Sequence, residues 1–173
     1  MMTDKQRKNR VNLLEGHDIP LIKDEVYTDL YFTEKRPVPT QSCSTPMLQQ
    51  WTLTNYLMSG EYDRHLQVLR KTLRYNCERM RALIPVPFPK EVCISQPQGG
   101  SVLWIRCRSH VDTSKFFAQA IAKGVSFAPG ETFSPTGKYK NFMRISYGVK
   151  WCDKVDKAVA ELGKLVYDYP EKL

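Results

Sequence analysis

A chain of 173 residues can bury one core and two small lobes but not several full domains. Hydrophobic residues at 42% and charged residues at 25% exclude a disordered or fibrous chain. The 26 basic and 18 acidic side chains leave a net charge of +8, scattered apart from Lys5, Arg7, Lys8 and Arg10; without aromatic interleaving, that excess reads as solubility rather than a nucleic-acid groove.

The five cysteines, Cys43, Cys77, Cys93, Cys107 and Cys152, are odd in number, widely spaced and free of any C-x-x-C. That pattern argues against a disulfide framework and a structural zinc site, and reduced thiols fit a cytoplasmic protein. The polar start, Met1 to Val11, is no signal peptide, and no apolar stretch has the length to span a bilayer. None of His17, His65 and His110 forms a pair with ligand spacing, so no metal is expected.

In chain order, Val11, Leu13 and Leu14 give an opening helix a short apolar face, with Gly16 as its stop. The compact run Ile19-Pro20-Leu21-Ile22 reads as a buried strand whose carboxyl end lies near Asp24, where open α/β sheets gather their ligands. Residues 33–45 are irregular and proline-broken, and a helix from about Pro46 to Met58 follows, stopped by Ser59-Gly60. Tyr62, Leu66, Leu69, Leu73, Met80 and Leu83 then recur at three-, four- and seven-residue steps, the apolar stripe of a long helix that bridges two lobes.

Pro85, Pro87 and Pro89 end that helix. Beyond them, Val92 to Ile94 and Ser101 to Cys107 read as strands, joined through Gln96 to Gly100. A helix runs from about Asp112, a good N-cap, to Lys123, with Gly124 at its C′ position. Val125 to Ala128 and Phe142 to Ser146 read as short strands, and a last helix turns Val155, Val159, Leu162 and Val166 inward. The order implies a small α/β lobe over residues 85–173, preceded by bridging helices over 46–84 and a remnant of a larger domain over 1–45.

Three ordered stretches carry a family resemblance: His17-Asp-Ile-Pro-Leu-Ile-Lys-Asp-Glu-Val-Tyr-Thr-Asp-Leu-Tyr31, Ser59-Gly-Glu-Tyr-Asp-Arg-His-Leu-Gln-Val-Leu-Arg70, and Gln96-Pro-Gln-Gly-Gly-Ser-Val-Leu-Trp104 continuing through Gly124–Gly130 to Asn141-Phe-Met-Arg-Ile-Ser-Tyr-Gly148. Together they resemble the aminotransferase-like domain of MocR regulators in the GntR group. The resemblance implies a partial fold-type I, pyridoxal-phosphate-dependent transferase: a remnant of the large domain and a C-terminal small α/β domain. It also implies a cofactor site in which Asp24 keeps the pyridine nitrogen protonated and Tyr27 bonds the ring's phenolic oxygen. Arg144 would grip a substrate α-carboxylate with two parallel hydrogen bonds. Phe142, Met143 and Ile145 beside it suggest a buried guanidinium that needs an anion. Gly99-Gly100 and Pro129-Gly130 read as backbone-shaping residues and His65 as structural.

The resembled family forms its Schiff base on a lysine in a Ser-rich S-x-S-K stretch between the first two motifs. Here Tyr31 to Thr40 still follows the family, and Ser44-Thr45-Pro46 already resembles the helix beyond the lysine. A segment of a few dozen residues, with the lysine, is therefore missing at about Thr40-Gln41. Lys23 and Lys35 lie nearby but in the wrong context. The family's winged-helix domain, through which it would contact DNA, and the first part of its large domain are also not in this sequence. The expectation is a fragment without catalytic competence of its own, whose relatives handle amino acids or related small molecules as homodimers. An active aminotransferase or cofactor-sensing subunit, and a small interaction module, are the alternatives.

Overall fold

The computed structural model describes residues 4–17, 29–32 and 47–170, without the side chains of residues 4–7 and 15. These fall into two compact units, one of residues 1–70 with 98–100 and one of residues 71–97 with 101–173, and the boundary cuts one continuous helix.

The first unit holds α1 (Asp4–Glu15), α2 (Met47–Met58) and the opening of α3 (Glu61–Leu83). α1 ends at Gly16, as the sequence predicts. α2 carries no charge and buries no residue: Met47, Leu48, Trp51 and Met58 are all well exposed. Gly60, with φ at +75°, makes the break before α3, a left-handed position that suits glycine. The predicted strand at 19–22 lies outside the described residues.

The second unit is a four-stranded antiparallel sheet with helices packed on one face. Its strands are β1 (Cys93–Ile94), β2 (Val102–Arg106), β3 (Ala128–Pro129) and β4 (Phe142–Ser146), in the order β1-β2-β4-β3. In the central pair, Leu103 faces Ile145, Trp104 faces Arg144 and Ile105 faces Met143. Alternation then sorts the side chains, because successive residues of a strand point to opposite faces. Leu103, Ile105, Met143, Ile145 and Tyr147 form one buried face; Trp104, Phe142, Arg144 and Ser146 lie on the other.

The core gathers the buried strand face with Leu73, Cys77 and Met80 of α3, Phe116 and Ala120 of α4 (Thr113–Ala122), and Val159, Leu162 and Val166 of α5 (Asp153–Tyr167). Burying each of the larger aliphatic and aromatic side chains contributes roughly 1.5–3 kcal/mol. Asp112 caps α4 by accepting the Ser114 N–H at 3.1 Å, and Gly124 follows at φ +75°. Within α3, Asn76 is a buried polar exception that the apolar stripe does not reveal. Its amide donates to the Tyr147 and Val149 carbonyls at 3.0 and 2.8 Å, tying the helix to the end of β4.

One predicted strand is shorter than expected. Of Val125 to Ala128, only Ala128 pairs, together with Pro129. The Val125 N–H is still closing the end of α4 on the Ala120 carbonyl, so the chain is free to join the sheet only three residues later. The 3₁₀ turn Gly130–Phe133 that follows has no apolar period to announce it.

Candidate functional site

On the open face of the sheet, β4 holds Arg144 directly opposite Trp104 of β2 and beside Ala128 of β3. Its guanidinium lies 4.6 Å from the centre of the Phe133 ring and donates no hydrogen bond among the described residues. Arg144 is exposed, which corrects the expectation of a buried guanidinium. Strand alternation sends its apolar neighbours Met143 and Ile145 to the opposite face, so adjacency in sequence does not become adjacency in space.

Aromatic rings crowd around this position. Trp104 meets Phe133 at 5.4 Å and Tyr139 at 5.9 Å edge to face and Phe142 at 5.6 Å with the rings tilted by 30°, and Tyr139 meets Phe142 edge to face at 5.3 Å. The loop between Gly130 and Phe142 puts Phe133 and Tyr139 there. It folds back so tightly that a Cβ on Gly130 would stand 2.7 Å from the Phe142 Cβ and closer still to the Tyr139 carbonyl. The acid of this loop, Glu131, is already engaged, accepting the Ser114 hydroxyl at 3.2 Å with Lys140 at 3.9 Å. A planar guanidinium with five donors that meets no carboxylate among the described residues has the geometry to pair with a carboxylate or similar anion.

The three motif stretches meet in the first unit. Tyr31 pairs with Gly99; the Gly100 N–H donates to the Leu30 carbonyl at 2.6 Å and the Phe32 N–H to the Gln98 carbonyl at 2.8 Å. From α3, the Tyr62 hydroxyl donates to the Asp29 carboxylate and Arg70 Nε to the Asp29 carbonyl, both at 2.8 Å. The Arg70 guanidinium also stacks 4.0 Å over the Tyr31 ring. Asp29, Tyr31, Tyr62 and Arg70 thus form a bracket, whose members lie within the quoted motifs although spacing alone gives them no role. Gly100, at φ +89°, takes a backbone position closed to most other residues.

Asp24 and Tyr27, the predicted partners of the cofactor ring, lie outside the described residues, as do Lys23 and Lys35. Every lysine whose side chain is described is exposed. A Schiff-base lysine needs a pocket that favours its neutral form, so none of these fits covalent attachment of pyridoxal phosphate. No group of three or more potential metal ligands occurs among the described residues. His17 and His65 are exposed; His110 stacks on Tyr169 at 6.4 Å with its Nε2 buried. A cavity of about 210 Å³ lined by Ile84, Phe88, Val92 and Ile94 touches none of the predicted site residues.

Burial governs the titratable groups of the core. It pushes the Cys107 thiol up to about 12 and, aided by the neighbouring Cys77, raises the Tyr147 hydroxyl as well. These groups are inert packing. The four thiols described, Cys77, Cys93, Cys107 and Cys152, are free, and no described helix is long and apolar enough to cross a membrane.

The two units carry the architecture of a partial fold-type I, pyridoxal-phosphate-dependent aminotransferase. The kynurenine aminotransferase of Pyrococcus horikoshii superposes with a TM-score of 0.79 at 17% identity, over 99% of this chain and 54% of its own. In sequence, the chain's homologues are HTH-type regulators, of the kind the GntR and MocR names describe, together with aminotransferases. The uncharacterized HTH-type transcriptional regulator YdcR of Escherichia coli is 26% identical over 96% of this chain and 45% of its own length. A 2-aminoadipate transaminase of Thermus thermophilus is 28% identical over 69% of this chain and 30% of its own. No family model matches the sequence. The chain spans about half the length of the HTH-type relatives it matches, as an aminotransferase-like fragment of them.

The alignment lengths bear on the expected missing segment. The one with YdcR runs over 212 positions but draws on 96% of 173 residues, about 166, so about 46 positions have no counterpart here. The transaminase alignment, 120 positions from 69% of the chain, or about 119 residues, has almost no such shortfall. The unmatched positions therefore lie within the aligned span and number a few dozen. The point at which the sequence puts it, Thr40-Gln41, lies outside the described residues.

Proposed function

We propose that this aminotransferase-like fragment recognises the carboxylate of an amino acid or related acid through Arg144, and does not complete pyridoxal-phosphate chemistry by itself. The observation that carries the reading is the exposed guanidinium of Arg144, stacked on Phe133 and without a hydrogen-bonding partner among the described residues. An amino acid is the ligand class because one relative is, by its name, a transaminase of 2-aminoadipate.

Asp24 and Tyr27 are assigned, from their place in the first motif, to the ring nitrogen and phenolic oxygen of the cofactor. When bound, that group supplies an electron sink for carbanion chemistry. Covalent attachment requires a shielded lysine, and the exposed lysines do not provide one. The division into a large-domain remnant (1–45), bridging helices (46–84) and a small domain (85–173) belongs to the same reading, as do a cytoplasmic location and a homodimer. DNA contact would require the winged-helix part of the resembled family.

The test is to add pyridoxal phosphate to the purified full chain and follow its visible absorbance, then add an amino acid. The expected result is, at each step, the spectrum that the same cofactor and amino acid give without protein. A protein-bound aldimine band that shifts with the amino acid would overturn the claim of incompetence and favour an active subunit.

A further inference from the structure

We propose that the open face around Arg144 selects carboxylates bearing an aromatic or other large apolar body, a narrower class than amino acids in general; the inference rests on the reading of Arg144 just given. Phe133 and Tyr139 remain 42% and 45% exposed although both pack on Trp104, the cross-strand partner of Arg144. Rings gathered to make a core would turn inward; these stay half in solvent beside a cation.

Tyr139 supplies a second, independent observation. It is the one non-glycine residue with positive φ, +66°, among the described residues. A bulky side chain is held in that conformation only where its surroundings impose it, and such positions cluster at ligand-binding sites. Here the imposition is local: Gly130 tucks under the Tyr139 carbonyl, and the Phe142 N–H donates to that carbonyl at 2.9 Å. The loop therefore spends backbone strain to hold a phenol ring edge-on to Phe142 and Trp104.

Among the neighbouring cations, Lys140 pairs with Glu131 at 3.9 Å, while Arg106 donates to the neutral Cys93 sulfur at 3.1 Å and keeps its charge. The group stacked on the Arg144 guanidinium is nonetheless the Phe133 ring, with Trp104 packed against it and Tyr139 against Trp104. A ligand whose carboxylate sits on Arg144 therefore meets rings first, which favours a phenyl or indole body.

The test titrates the full chain with propionate, 3-phenylpropionate and glutarate, reading dissociation constants by calorimetry or ligand-observed NMR. The expected result is that 3-phenylpropionate binds roughly tenfold more tightly than propionate, the scale of one additional aromatic contact. Tyr139→Gly, which suits the left-handed backbone, should reduce that ratio to about threefold or less, and Tyr139→Asn, also tolerant of this conformation, should act alike. Arg144→Gln should weaken all three ligands. Equal affinities for propionate and 3-phenylpropionate, tightest binding of glutarate, or a ratio unmoved in both Tyr139 variants would overturn the selectivity while leaving Arg144 its role. Binding of none of the probes, or binding indifferent to Arg144→Gln, would overturn both.

Discussion

Replacing Gly130 by alanine tests whether the loop is fixed by contact. The added methyl would stand 2.7 Å from the Phe142 Cβ and 2.8 Å from its carbonyl oxygen, with the Tyr139 carbonyl closer still. Carbon atoms prefer separations of about 3.5–4.0 Å, so the loop must retreat by on the order of 1 Å. Two of the three obstacles are backbone atoms, which cannot swing aside as a flexible side chain would. Overpacking of this kind costs about 1–3 kcal/mol. In urea unfolding followed by far-ultraviolet circular dichroism, the midpoint should fall by on the order of 1 M with little change in slope. The same retreat draws Tyr139 away from Trp104, so affinity for 3-phenylpropionate should fall as well. A variant with wild-type stability and wild-type affinity would refute the claim that Gly130 is where the loop is pinned.

Asn76→Ala removes both donors to the Tyr147 and Val149 carbonyls and should destabilise by about 1–3 kcal/mol, read from the urea midpoint. Alkaline pH should loosen the second unit. The folded state holds the Cys107 thiol near 12 against an ordinary 9, so the stabilisation is complete below pH 9 and drains away as the pH rises toward 12. The loss for that group runs at about 1.4 kcal/mol per pH unit, and Cys107→Ala should flatten it. Arg70→Lys loses both the planar stack on Tyr31 and the Nε donor to Asp29, and should speed proteolysis of the first unit without moving the urea midpoint of the second.

Periodicity made the helices legible. The stripe from Tyr62 to Leu83 and the cap at Asp112 correspond to α3 and to the start of α4, because repeating apolar positions and capping are local physics. Arg144 could be singled out by its motif, but its exposure could not be read from Phe142, Met143 and Ile145, since alternation removes the flanking residues to the other face. Trp104 becomes its neighbour only once the register of β2 with β4 is known, and register is a long-range property. Tyr139 gave no signal: a left-handed tyrosine is imposed by Gly130 folding beneath it. The bracket of Asp29, Tyr31, Tyr62 and Arg70 was hidden for a similar reason. Its members are 41 residues apart at the extremes, and no local period brings Tyr62 and Arg70 of α3 to Asp29 and Tyr31.

A crystal structure of the full chain with 3-phenylpropionate tests carboxylate recognition at Arg144. The carboxylate should lie in the plane of the Arg144 guanidinium, with two N–H···O contacts of about 2.7–2.9 Å. A carboxylate bound elsewhere, or an Arg144 turned away to pair with an acid of its own chain, would contradict it.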